Sequence, residues 1–330
     1  MDVKVSIIVP VYNVAPYLDA CLSSCVNQTF RDIEIIVVND GSPDTSYQII
    51  AAYAAMDERI IVVNKENEGL IYARKSGLDI AHGKYIFYLD GDDYIESNTI
   101  ETLYKEALDK GADYVMAGVY TISENNRQVY LIGQEGVGLF GQDWLAFLIK
   151  RPAWSLCGQL MRKNLFDGVV YQSVFMGEDL YTNMQIALKV KKTAVIDSCL
   201  YNYVQHGGSA MAQSFEAAFA SNLKMIESLW SLFDIYDYDE RIEELISCLF
   251  SAFFIGAMSR NRREVKNVLK KYYWKNKRVR GYLWKNQKTL YFLYGGYLYA
   301  PLLISLILKL GRDLKALFGR LKQSFGKNKK

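Results

Sequence analysis

The 330-residue chain is 51% hydrophobic and 23% charged, which is enough apolar material for a substantial core and too much for a disordered chain. Its net charge of +3 hides an asymmetry: residues 259–330 carry 20 Lys/Arg against 2 Asp/Glu, leaving 19 basic and 34 acidic residues upstream. Five cysteines without a CxxC pair, and two histidines without HExxH, argue against a disulfide framework, a zinc site and a histidine-based metal centre.

The opening MDVKVSIIVPVYN reads as a strand entering a loop, with neither a basic leader nor a small-residue cleavage site. The protein is therefore expected to stay in the reducing cytosol where it is made. Residues 5–9 form a β-branched apolar run suited to a strand buried on both faces of a parallel sheet. Pro16 suits a first helical turn, and Leu18, Cys21, Leu22 and Cys25 follow at i, i+3, i+4 and i+7, making both cysteines core residues.

The cycle then repeats. A strand over 33–38, the turn 39-NDGSPD, a helix over 45–55 and a strand over 60–63 are followed by the loop 64-NKENEG, a helix ending near Gly83 and a strand over 85–89. Strand and helix alternating at this pitch predict an α/β fold, a mainly parallel sheet covered by helices on both faces. In such sheets ligands bind beyond the carboxyl ends of the strands. The polar residues of this region keep that register, with Asn13 after the first strand, Asp40 after the second, Asn67 after the third, and Asp90, Asp92 and Asp93 after the fourth.

In 89-LDGDDY three carboxylates crowd into four residues, which costs repulsion unless a cation relieves it; Mg²⁺ or Mn²⁺ bridging a diphosphate is the natural partner. The plainer alternative is an acidic, solvated turn capping the next helix. Asp40, beside Gly41, suits hydrogen bonds from a base or ribose, or equally a helix cap ahead of Pro43.

The stretches 5-VSIIVPVYN, 34-EIIVVNDGSPD, 67-NEGLIYARKSG, 84-KYIFYLDGDD and 177-GED, in this order, resemble the family 2 glycosyltransferases of GT-A fold over about residues 3–210. The resemblance implies that Pro10, Val11, Tyr12 and Asn13 line a nucleotide pocket with Asp40 on its base side. It also implies that Asp90, Gly91 and Asp92 form the ribose, diphosphate and metal site, with Asp92 the more direct ligand. Asn67, Gly69, Ala73, Arg74 and Gly77 match the third motif, but Lys75 stands where asparagine is common and bears on donor choice; Gly91 replaces a more usual serine. Of the pair opening a helix at 178, Asp179 resembles the catalytic base and Glu178 its supporting neighbour; both residue types also suit a helix N-terminus electrostatically. The segment 201-YNYVQHGGS resembles one lying near the donor diphosphate, so His206 is either a metal or phosphate contact or simply structural. Trp154 and 158-GQLMRK partly match an acceptor-side motif, with Gln159 where lysine is usual.

The GxGxxG at 136–141 follows the α/β repeats and has no acidic residue about 20 positions on, so it reads as a flexible linker or substrate loop, not a dinucleotide site. Residues 213–258 read as helical packing. Residues 289–308 carry no charge, but Gly295, Gly296 and Pro301 are expected to interrupt them, and Tyr291, Tyr294, Tyr297 and Tyr299 suit an interface. Beyond, Leu310, Leu314, Leu317, Phe318, Leu321 and Phe325 form an apolar stripe flanked by Lys309, Arg312, Lys315, Arg320 and Lys322, the outline of an interfacial helix or of a helix docked on the protein itself.

The expected organisation is a GT-A domain over 1–210, with a nucleotide half at 1–120 and an acceptor half at 121–210. A helical extension over 211–280 and a basic, membrane-associating tail over 281–330 follow. The expected reaction is an inverting transfer from a nucleotide-sugar, UDP-sugar favoured, to a glycan or lipid-linked acceptor in surface polysaccharide synthesis. It would take place peripherally at the inner face of an anionic membrane and involve no nucleic acid. A catalytically inactive membrane scaffold and a sugar nucleotidyltransferase are the rivals; the second needs a glycine-rich basic loop that VPVYN does not supply.

Overall fold

The computed structural model describes residues 3–123, 126–151, 154–172, 177–206, 215–249, 251–260 and 264–310. The chain divides into two compact units, Met1–Met225 and Ile226–Lys330. The division falls later than residue 210.

The first unit is built on a mixed sheet. Strands β1 (Val5–Val11), β2 (Ile33–Asp40), β3 (Ile60–Lys65) and β4 (Tyr85–Tyr88) run parallel in the order β3-β2-β1-β4. Every residue of β1, β2 and β4 is buried, as expected of strands covered on both faces. Strand order reverses between β1 and β4, so the loops after these two strands meet at the topological switch point.

Helices α1 (Ala15–Val26), α2 (Ser46–Met56) and α3 (Leu70–Ile80) connect these strands; α3 ends three residues short of Gly83. Gly77 sets α3 close to the sheet: a Cβ there would stand 2.5 Å from Ile8 Cγ2. At the opposite end from the switch point, buried Glu34 accepts hydrogen bonds from Ser6 Oγ and the His82 backbone, each at 2.6 Å, and these bonds outweigh its burial and hold the carboxyl below its usual range.

The sheet continues through β5 (Tyr94–Ile95), β6 (Tyr114–Ser123), β7 (Asn126–Tyr130), β8 (Gln159–Arg162) and β9 (Thr193–Val204). β8 joins antiparallel to β4, β6 is antiparallel to β8, and β9 runs parallel to β6. Helices α4 (Thr99–Lys110), α5 (Gly141–Lys150) and α6 (Glu178–Ala187) complete this part. The GxGxxG stretch is anchored at its first glycine, while Val137 and Phe140 are exposed. Gly136 is buried against Phe147 and Val195, and Thr193 Oγ1 donates to the carbonyls of Gly136 and Leu139 at 2.7 and 2.9 Å.

Helix α7 (Phe215–Ser231) carries the division between the units. Within the second unit come α8 (Glu240–Leu249), α9 (Ser251–Ser259), α10 (Glu264–Val268), α11 (Lys277–Asn286) and α12 (Lys288–Tyr299), and 301–310 is also helical. Its core stacks Phe254, Tyr273 and Tyr294 edge to face. Asn276 caps α11 by accepting from the N–H groups of Arg278 and Val279, and α11 runs unbroken across residue 280.

Two expectations change here. Gly295 and Gly296 do not interrupt α12; they let it approach neighbours, Gly295 against Trp274 and Gly296 against Ile304, and the break comes at Ala300. Tyr294 and Tyr297 are fully buried core residues, whereas Tyr299 is exposed. Among the described residues no helix is long and apolar enough to cross a membrane. The stripe from Leu314 to Phe325 lies outside the described residues.

Candidate active site

The site gathers at the carboxyl ends of β1, β2 and β4. Pro10 and Val11 are buried strand residues, so side chains open to a ligand after β1 are those of Tyr12, 50% exposed, and Asn13. Asn13 adopts φ 57°, which among the described residues no other non-glycine residue shares as a positive value. Gly91 lets the loop after β4 lie against this turn: a Cβ would stand 3.1 Å from both Pro10 O and Val14 Cγ2.

Asp40, at the end of β2, is almost fully buried and works as a loop organiser. Its Oδ2 accepts from Gly69 N at 2.9 Å, and its Oδ1 from Glu68 N at 3.1 Å and Lys65 Nζ at 3.0 Å. It does not cap α2. That region is tied by Asp44, missed in the sequence, which accepts from Ala15 N and Ser46 N at 2.9 and 3.1 Å and joins the starts of α1 and α2. Gly41, at φ 69°, sits where a Cβ would meet Asn67 N at 2.9 Å, so the loops carrying Asp40 and Asn67 depend on glycine here. Asn67 itself is exposed.

The acidic loop after β4 has three different environments. Asp93 is buried; Tyr201 donates to its Oδ2 at 2.5 Å and Val204 N to its Oδ1 at 2.7 Å, while burial, then Asp90, push its carboxyl up to about 8. Asp92 lies 2.8 Å from His206 Nε2 through its Oδ2, and burial with the nearby Asp90 raises its pKa. The His206 imidazole stacks on Tyr17, ring centroids 4.3 Å apart. The GGS that follows in the sequence lies outside the described residues.

Asp90 stands close enough to Asp92 to raise its pKa, and through one oxygen it also engages α3. Its Oδ1 accepts from Arg74 Nη2 at 2.9 Å, and Arg74 Nη1 donates to Asp179 Oδ1 at 2.5 Å. Arg74, expected to contact a nucleotide-sugar, is 2% exposed and enclosed by Asp90, Asp179 and Cys157 Sγ, the last at 3.1 Å. Burial alone would weaken its charge, but Asp179, Cys157, Asp90 and Glu178 hold the guanidinium protonated more firmly than usual. Lys75, the departure from the family motif, points along α3 and pairs with Asp79.

α6 begins at Glu178, after Gly177 at φ 91°. Asp179 Oδ2 also accepts from Leu156 N at 3.2 Å, and burial raises its pKa against the lowering effect of Arg74. Burial, then Asp179, lift Glu178 to about 7, and Glu178 Oε2 is buried without a hydrogen-bond partner. Gln159 is buried, donating to Ser155 O at 3.1 Å, and the Trp154 carbonyl accepts from Asn183 at 2.6 Å.

The fold thus brings Asp90, Asp92, His206, Arg74, Glu178 and Asp179 to one end of the sheet, with Asp40, Asn67 and Asn13 at the neighbouring strand ends. Sequence reasoning assigned no role to Cys157 or to Tyr201, although Tyr201 opens the 201-YNYVQHGGS segment, since nothing in the neighbouring residues shows which distant group either side chain meets. Among the described residues no cluster of three or more metal-ligating side chains is preformed. The Asp92–His206 pair with Asp90 nearby supplies oxygen and imidazole donors, a set suited to a divalent cation that completes its shell with diphosphate oxygens and water.

A family model described as glycosyl transferase family 2 matches residues 6–171. The glycosyltransferase GlyA of Streptococcus pneumoniae is 36% identical over 223 residues, which are 63% of this chain and 32% of GlyA, so the match spans about a third of that relative. GlyG of the same organism is 32% identical over 240 residues, 68% of this chain and 78% of GlyG. Among solved structures, S. aureus TarS 1–349 in complex with UDP-GlcNAc aligns with a TM-score of 0.68 at 19% identity, covering 89% of this chain and 91% of that one. That likeness is one of fold and bears out the GT-A architecture expected from the motifs. With half of its length matched by the family model and its strand-end motifs in place, the chain belongs to glycosyl transferase family 2.

Proposed function

We propose that the protein is an inverting glycosyltransferase that moves a sugar from a nucleotide-sugar, a UDP-sugar by preference, to a glycan or lipid-linked acceptor in surface polysaccharide synthesis. The observation that carries this reading is the constellation at the β1/β4 switch point, where Asp92 with His206 lies on one side and Asp179 on the other, linked through Asp90 and Arg74. The TarS complexes with UDP and UDP-GlcNAc favour uridine among nucleotides.

In this reading Tyr12, Asn13 and Asn67 contact the nucleotide, and Asp40 and Gly69 shape the loop that receives its base and ribose. Asp179 accepts the proton of the acceptor hydroxyl as its oxygen attacks the anomeric carbon. The bond from that carbon to the diphosphate breaks on the opposite face, and its electron pair leaves with the nucleoside diphosphate. Both Asp179 oxygens already accept one hydrogen bond and each keeps a lone pair for the incoming proton. A divalent cation, Mn²⁺ or Mg²⁺, held by Asp92, Asp90 and His206 would neutralise charge on the departing diphosphate. Glu178, without a partner for one oxygen, supports Asp179 electrostatically.

A specific feature favours attachment to an anionic membrane. In the helix over 301–310 the inward arc is Pro301, Ile304, Ser305 and Leu308, and the outward arc is Leu302, Leu303, Leu306, Ile307 and Leu310, each 51–67% exposed. An apolar arc turned outward between Lys288 and Lys309, in a stretch with no acidic residue from 265 to 312, suits the headgroup boundary of a bilayer.

The test is a nucleotide-sugar screen with Mn²⁺ or Mg²⁺ that reads released nucleoside diphosphate for wild type, Asp92→Ala and Asp179→Asn. Metal-dependent release lost in both variants is the expected result. Silence with all donors and no nucleotide binding would favour the inactive scaffold, and release of pyrophosphate the nucleotidyltransferase.

A further inference from the structure

Arg74 occupies an unusual place for a residue in a nucleotide-binding motif. Its guanidinium is enclosed: Nη1 is spent on Asp179, Nη2 on Asp90 and Cys157 Sγ, and Nε is buried without a partner. The ring of Tyr88 lies beneath it, 5.7 Å from the guanidinium carbon. With both terminal nitrogens engaged and the side chain 2% exposed, the cation is not laid open to a donor phosphate. The helix that presents it is itself held, because Gly77, one turn on, brings α3 against Ile8 and Val38 of the sheet.

We infer that Arg74 is a positioning residue, a buried brace that fixes the proton acceptor Asp179 in register with the loop carrying Asp90 and Asp92, and that it does not bind the donor. This rests on the reading of Asp179 as the proton acceptor. The two carboxylates come from different parts of the fold, Asp90 from the end of β4 and Asp179 from the first turn of α6, and no direct hydrogen bond joins them. One planar fork with donors on two nitrogens spans both; a lysine ammonium, a single point on a flexible stem, does not hold two carboxylates at a set separation. The brace thus sets the distance between where the proton goes and where the leaving group departs, the geometry to which transfer is most sensitive.

The test uses the full chain with Arg74→Lys, which keeps a buried cation and guards against unfolding, and Arg74→Gln, both checked by circular dichroism. Three quantities are read: UDP affinity with Mn²⁺ by calorimetry, kcat and KM of donor turnover, and titration of the Asp179 carboxyl in ¹³Cγ-aspartate-labelled protein, assigned by its loss in Asp179→Asn. The titratable and charged groups facing Asp179 are Arg74, Asp90, Glu178, Cys157, Tyr88 and Tyr114. The brace predicts UDP affinity near wild type in Arg74→Lys and kcat lowered about 100-fold. It also predicts an Asp179 carboxyl that titrates at higher pH in Arg74→Gln, where the cation beside it is gone. UDP affinity weakened about tenfold or more with kcat kept at saturating donor would make Arg74 a donor ligand and overturn the brace. An unmoved titration with unmoved kcat would also overturn it. A wild type that transfers no sugar would sink the functional reading alone, since the titration still decides whether Arg74 governs Asp179.

Discussion

Tyr201 donates its phenolic hydrogen to Asp93 Oδ2 at 2.5 Å, across 108 residues of sequence. The same oxygen of Tyr201 lies 3.4 Å from the Asp90 amide, so β9 holds the acidic loop from beneath. Tyr201→Phe leaves a buried carboxyl short of a donor and should cost about 1–3 kcal/mol of stability, with weaker metal-dependent nucleotide binding. Urea unfolding and calorimetry check this; a variant as stable as wild type would mean the loop is held by Val204 N alone.

His206 meets Asp92 at 2.8 Å while stacked on Tyr17. His206→Ala is expected to weaken Mn²⁺ affinity about 10- to 100-fold without changing the melting temperature much. Titration of Mn²⁺ by electron paramagnetic resonance, with UDP present, reads the effect. Unaltered affinity would assign the pair a structural role only.

Burial and Asp179 raise Glu178 to about 7, and the two carboxyls titrate as a pair. Removing one negative charge from such a pair makes the other easier to ionise, so the acidic limb of the kcat profile should move to lower pH in Glu178→Gln. Stability follows a related sign. A carboxyl whose folded pKa lies above its unfolded value of about 4.3 contributes fully below that pH and loses its contribution as pH climbs through about 7. The melting temperature of Glu178→Gln should therefore gain on wild type between pH 4 and pH 7; a constant difference across that range would show that Glu178 is not perturbed.

The outward face of 301–310 gives a prediction that spares the core. Ending the chain near residue 280 would cut through α11 and remove Leu283, Tyr294 and Tyr297, which are buried in the second unit. Leu303→Glu with Leu306→Glu changes only exposed positions and should lower sedimentation with phosphatidylserine vesicles several-fold. Equal sedimentation of variant and wild type would remove this face from the membrane contact.

The alternation of strands and helices was legible because it is written in local periodicity. The runs at 5–9 and 33–38 are β-branched and apolar apart from Ser6 and Glu34, and the i, i+3, i+4, i+7 spacing of Leu18, Cys21, Leu22 and Cys25 describes one helix face, all four of them buried. The strand-end positions of Asp40, Asn67 and Asp90 followed from the same register. What each of them touches did not. Asp40 looked equally able to cap α2, and only the packing of the β3–α3 loop across β2 turned it toward Glu68 and Gly69. The sequence did not show that Lys75 pairs with Asp79, its i, i+4 neighbour on α3.

The order of the motifs and the chemistry available at the strand ends were therefore determined by the sequence by itself, through periodicity and residue type. Only the tertiary structure decided the pairings: Arg74 with Asp179 across 105 residues, His206 with Asp92 across 114, Tyr201 with Asp93 across 108. The physical reason is that burial strengthens these contacts while chain distance hides them. An arginine enclosed between two carboxylates, or a phenol against a buried acid, exists only once strand order and helix packing bring distant segments together, and nothing in the neighbouring residues announces it.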